Sequence, residues 1–149
     1  MNLGVYIDIL GDNEEFRLAV KTINEGVKNG DLSVASIFYD SASDIPVKAE
    51  CGLFNSTDLW NFTGTLVTTG MDPTKNALDM VNKFDIIYYY GWNTKNKINT
   101  IALLDIAMNP KIKVICRNEQ DSKTFSRLTG SKAKVVKDFN LKELLQVAS

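Results

Sequence analysis

The chain has 149 residues, with 17 basic against 18 acidic side chains, a net charge of −1, and 44% hydrophobic content. Those values suit one globular domain over residues 1–149, and the lack of basic excess argues against general nucleic-acid or membrane-surface binding. No apolar run approaches the ~20 residues of a bilayer span. There is no histidine, which removes Ser-His-Asp and Cys-His catalysis and histidine-ligated metal sites from this chain.

Residues 3–9 alternate and are rich in Val, Ile and Tyr, which predicts a first strand with no positively charged leader before it. Gly11-Asp12-Asn13 turns the chain, and Asp12 or Asn13 can cap a helix whose apolar positions are Phe16, Val20, Ile23 and Val27. Asn29-Gly30 ends that helix. Strands are predicted at 34–39 and 51–54, with a loop over 41–49 between them. Ser56, Thr57 or Asp58 can cap one helical turn through Leu59, Trp60 and Phe62. A strand at 65–69 precedes Asp72-Pro73, a cap with proline at the first helical position. Ala77, Met80, Val81 and Phe84 make that helix's buried stripe.

A strand at 86–90 follows, and its alternation sends Tyr88 and Tyr90 to one face and Tyr89 to the other. Asn93 or Thr94 starts a long helix with an apolar face of Ile98, Ile101, Ala102, Leu104 and Ala107, stopped at Asn109-Pro110. Then come a strand at 112–116, a helix at 122–128 ended by Gly130, a short strand at 134–136 and a helix at 141–147. Strands alternating with helices, each crossover too long for a hairpin, imply an α/β fold. The expectation is three Rossmann-like layers: a mainly parallel sheet of five to seven strands with helices on both faces.

Cys51 and Cys116 sit in apolar runs and read as reduced core thiols of a cytoplasmic protein. Two glycosylation sequons, at Asn55 and Asn61, read as chance matches, since no secretory signal precedes them.

In such sheets ligands lie beyond the strand carboxyl ends, where strand order reverses. An order 3-2-1-4-5-6 puts that crevice between the first and fourth strands. Its expected lining is Asp8, Gly11, Asp12, Asn13, Thr68, Thr69, Gly70, Gly91, Trp92 and Asn93.

The loop after the first strand, Leu10-Gly11-Asp12-Asn13-Glu14-Glu15, lacks a dinucleotide fingerprint, and its three acids repel phosphate. The loop after the fifth strand is the better ligand site. Gly91 lets backbone approach, Trp92 offers a stacking face, Asn93 and Thr94 cap, and Lys95 and Lys97 follow. Each of these also has a plain structural role to weigh. Thr69 can present a hydroxyl to a sugar or merely end a strand. Arg117 follows the sixth strand at the same edge, where it can meet an anion. Asp8 can serve as a base or magnesium ligand, or simply cap the next loop; no metal set is expected.

The segments FTGTLVTTG and KFDIIYYYGWN, with the strand-to-helix start of the chain, give residues 3–118 a resemblance to the amino-terminal Rossmann-like half of a GT-B-fold glycosyltransferase. Glycosyltransferase-like proteins of bacteriophages carry a similar block. The resemblance implies a domain binding a sugar or nucleotide-sugar at the carboxyl edge, in the host cytoplasm if viral. In that family the nucleotide-sugar is held largely by a second half, which the residues up to Ser149 do not supply. A partner chain or a homo-oligomer would then complete it. No family catalytic residue carries over, although Asp8 or Asp12 stands nearest to the carboxylate some members use.

The alternative is a non-catalytic Rossmann-like module acting by interaction or oligomerisation. A receiver domain fits less well, because the third predicted strand ends Phe54-Asn55 rather than in a phosphoacceptor aspartate.

Overall fold

The computed structural model describes residues 1–45, 47–80, 84–92 and 99–149. In chain order it contains β1 (Asn2–Leu10), α1 (Glu14–Asn29), β2 (Val34–Ala42), β3 (Gly52–Asn55) and a 3₁₀ turn (Ser56–Asn61). Then come β4 (Gly64–Thr68), α2 (Met71–Asp79), β5 (Phe84–Tyr90), α3 (Thr100–Met108), β6 (Ile112–Cys116), α4 (Glu119–Thr129), β7 (Lys134–Val135), a second 3₁₀ turn (Lys137–Phe139) and α5 (Leu141–Ala148).

Among the described residues one sheet runs β3-β2-β1-β4-β5-β6-β7, and every neighbouring pair is parallel. The fold is α/β with three Rossmann-like layers, as the alternation of elements predicts. The period of two along β1 divides the core. Leu3, Val5 and Ile7 join Phe16, Ala19, Val20 and Ile23 of α1 and Leu144 of α5 on one face. Tyr6 joins Leu66, Ala77 of α2, Leu103 and Ile106 of α3 and Phe125 of α4 on the other. Tyr89 falls in the first cluster and Tyr88 and Tyr90 in the second, as their alternation requires.

Two helix readings change. The N-cap of α2 is Gly70, so Asp72 and Pro73 lie within its first turn, and the helix ends at Asp79, before Phe84 opens β5. In α3 the buried positions are Ala102, Leu103 and Ile106, while Ile101 is 74% exposed. The helix is apolar on nearly every side, so periodicity could not choose its inward face. The expected start of that helix, at Asn93 or Thr94, lies outside the described residues.

No helix among the described residues is long and apolar enough to cross a membrane. Cys51 and Cys116 are both free thiols; Cys116 is buried, and Cys51 is only half-buried.

Candidate functional site

The sheet order reverses between β1 and β4. From β1 the chain crosses through α1 to β2, and from β4 it crosses through α2 to β5 on the other side. The loops leaving β1 and β4 therefore part at their carboxyl ends, which is where this architecture leaves room for a ligand.

The β1 loop is tightly built. Gly11 is buried against Ser43, and a Cβ there would meet Ser43 Oγ at 2.3 Å. Ser43 N–H donates to Leu10 O at 2.8 Å, closing the loop on β2. Asn13 is the cap of α1, its side chain accepting from Phe16 N–H at 2.8 Å. Asp12 instead pairs with Arg17 at 2.6 Å in a largely exposed contact, a kind worth little in stability. Gly11 and Asp12 thus serve the turn and the surface.

Asp8 points to the same face as Tyr6. The Tyr6 hydroxyl donates to Asp40 Oδ1 at 2.6 Å and accepts from Asn76 Nδ2 at 3.2 Å. Burial, and next the acceptor Asp40, push the phenol up to about 12. Burial also raises Asp8, with the Asp40 and Asp72 carboxylates adding to the effect. The sequence does not single out Asp40, and it offers Asp72 only as a helix cap. A signal for Asp40 existed in the register: β1 and β2 pair Ile7 with Tyr39 and Ile9 with Ser41, so Asp8 and Asp40 fall at one level on adjacent strands. Among the described residues no group of His, Cys, Asp or Glu is arranged to hold a metal.

On the opposite side of β1, Glu15 reaches from the first turn of α1 to the Thr69 hydroxyl. Burial lifts its carboxyl from 4.5 to about 7; the Thr69 hydrogen bond opposes the rise, Asp8 adds to it and Arg117 opposes it. Thr69 also reaches Tyr6 O through its hydroxyl at 3.3 Å and its N–H at 3.2 Å. Thr68 is internal, bonded to the Thr74 hydroxyl at 2.7 Å. Gly70 caps α2 without a side-chain bond. In the sequence Glu15 is only one of three acids at the helix start that repel phosphate, because nothing in the chain order announces its partial burial.

At the end of β5, Gly91 adopts φ 106°, and a Cβ there would meet Asp121 Oδ2 at 2.4 Å. Trp92 is only 9% exposed. Its ring packs on Tyr89 and Phe139, with centroids 5.4 and 4.8 Å away. The Arg117 guanidinium covers it and also pairs with Glu14 at 3.3 Å. The expected open stacking face is therefore closed. Trp92 Nε1 is buried with no hydrogen-bond partner among the described residues. Asn93 and Lys95 lie outside the described residues.

The structure thus gathers Asp8, Thr69 and Arg117 around Glu15, sets Gly91 and Trp92 behind Arg117, and turns Gly11 and Asp12 to structural duty. Chemically the crevice offers carboxyl and hydroxyl hydrogen-bonding groups and one partly neutralised guanidinium. No family model matches the chain, and neither a curated protein nor a solved structure matches it.

Proposed function

We propose that the chain is a glycosyltransferase-like binding domain that takes a sugar, or the sugar end of a nucleotide-sugar, in the crevice between β1 and β4. The observation that carries this reading is the grouping of Asp8, Asp40 and Asp72 beside the Tyr6 phenol at the switch point of the sheet. Carboxylates there accept from vicinal hydroxyls and repel a bare phosphate. Arg117, half-buried over Trp92 and paired with the exposed Glu14, is the group a diphosphate would engage. The domain would work in the cytoplasm, in the host cell if the source is a phage, and a partner chain would supply the rest of a donor site.

A thermal-shift screen against free sugars, nucleotides and nucleotide-sugars tests the reading. A ligand at 100 times its dissociation constant adds about 2.7 kcal/mol. Asp8→Asn should remove the shift while leaving the unliganded protein folded. Absence of any shift across the panel would count against the reading.

One observation favours a second reading, a non-catalytic interaction module. Burial of Trp92 removes the crevice's aromatic platform, while Ile101 and Met108 stand 74% and 78% exposed on α3. Light scattering across a concentration series separates the two, since a module of this kind should self-associate or bind a partner without any small ligand.

A further inference from the structure

We propose that Glu15 is a protonation switch on the crevice. As the neutral acid it donates to Thr69 and closes a hydrogen-bond chain from α1 to the Tyr6 carbonyl; ionised, it accepts the hydrogen bond of the Thr69 hydroxyl and breaks that chain.

The argument begins with a proton count. Thr69 Oγ1 lies within hydrogen-bond reach of two oxygens, Glu15 Oε1 and Tyr6 O. A threonine hydroxyl has one proton. Both contacts are satisfied together only if Glu15 supplies a proton of its own, so that Glu15 donates to Thr69 and Thr69 donates to Tyr6 O. With Glu15 ionised the hydroxyl must turn to the carboxylate, which is the stronger acceptor. Tyr6 O then keeps only the Thr69 N–H, at 3.2 Å. The two states differ in hydrogen bonding at the point where β1 and β4 diverge, and by one negative charge in the crevice.

The surroundings set the balance near neutrality. Burial disfavours the ionised form, and Asp8 on β1 disfavours it further. Arg117, beyond β6, favours it. That guanidinium is shared, since it pairs with Glu14 on the same helix turn and also faces Asp121 of α4. The other nearby cation of α1, Arg17, is engaged by Asp12. The neutral acid is therefore the form this pocket holds at mildly acidic pH, and one of the two contacts is lost on raising it. The switch goes beyond the sugar-binding reading, because it requires no ligand.

The test is a carbon-13 NMR titration of the Glu15 side-chain carboxyl in the unliganded protein, with the carbon-13 shift of the Tyr6 carbonyl followed in parallel. The expected midpoint is about 7. The Tyr6 carbonyl carbon should shift upfield through the same transition, because its oxygen loses the Thr69 hydroxyl and keeps the Thr69 N–H. Glu15→Gln, whose amide can donate but cannot ionise, should hold the Tyr6 carbonyl shift constant across this pH range. A carboxyl midpoint near 4.5, the ordinary value, would overturn the proposal. So would a Glu15→Gln protein whose Tyr6 carbonyl shift tracks pH as the parent does. Should that variant fail to fold, the parent titration decides alone.

Discussion

The guanidinium carbon of Arg117 sits 3.7 Å from the centroid of the Trp92 ring. The cation gains from the ring's negative face, and the ring is screened from water by the cation. Trp92 behaves as core, since its other contacts are Tyr89 and Phe139.

Removing either partner should therefore have different consequences. Trp92→Ala should cost about 3–5 kcal/mol, the range for a large aromatic deleted from a packed interior. Arg117→Ala should cost about 0.5–1 kcal/mol and uncover the indole. The second tryptophan, Trp60, is 57% exposed and would mask the signal, so fluorescence is best read in a Trp60→Phe background. The expected result is a red shift of Trp92 emission in Arg117→Ala. A native emission already at the solvent-exposed wavelength would contradict the packing described.

Stability should fall as pH rises from about 4.5 to 7. Glu15 has a folded value of about 7 against an ordinary 4.5, so the native state binds more protons than the unfolded chain in that window. The contribution is fully present below 4.5 and lost as pH passes through 7. The shift corresponds to about 3 kcal/mol at most, less what partial exposure screens. Asp8 and Asp121 are raised as well and act in the same sense. Urea unfolding at half-unit intervals should show the decline, and Glu15→Gln should flatten most of it. A parent protein equally stable at pH 5 and pH 8 would refute this.

How much of this was legible in the sequence depended on the kind of signal. Strands announce themselves by apolar runs and β-branched residues, so β6 was placed at its observed bounds and the switch point followed from the order of elements. Asn13 capping α1 was equally readable. The inward face of α3 was not, because Thr100–Met108 is apolar on nearly every side and gives no stripe. The site fared similarly. Asp8 is readable because it stands near the carboxyl end of a central strand, but Asp40 becomes visible only through strand register, and Glu15 only through the tertiary contact with Thr69. Trp92 after a glycine looks like an open platform in one dimension. It closes because Phe139 and Arg117, remote in sequence, arrive on both sides.

The two thiols should differ. Cys116 is fully buried at the end of β6, and burial raises its thiol. Cys51 is half-buried beside β3, with its thiol pushed up to about 11, again by burial. Reaction with a thiol reagent at pH 8 should be slow at both, because the thiolate is the reactive form. Cys51 should react first, and Cys116 only on unfolding. Rapid native labelling of Cys116 would place the end of β6 at the surface.

Asp138 and Phe139 are consecutive non-glycine residues with positive φ, 52° and 55°. The surrounding structure holds them there. The Tyr89 hydroxyl donates to Val136 O and accepts from Phe139 N–H, and the Thr22 hydroxyl donates to Phe139 O at 2.9 Å. Phe139 is fully buried, so Phe139→Gly would relieve the backbone but forfeit packing worth about 3–5 kcal/mol. Asp138 is exposed and has little packing to lose. There the relief of about 1–2 kcal/mol exceeds the 0.4–1 kcal/mol that glycine gives back to the unfolded chain. Asp138→Gly should therefore stabilise by about 0.5 kcal/mol. Tyr89→Phe should destabilise by about 1–3 kcal/mol, because it strands a buried donor and a buried acceptor together. Denaturant midpoints of the three variants check the ordering. If Asp138→Gly proves more damaging than Tyr89→Phe, the left-handed pair is not held as described.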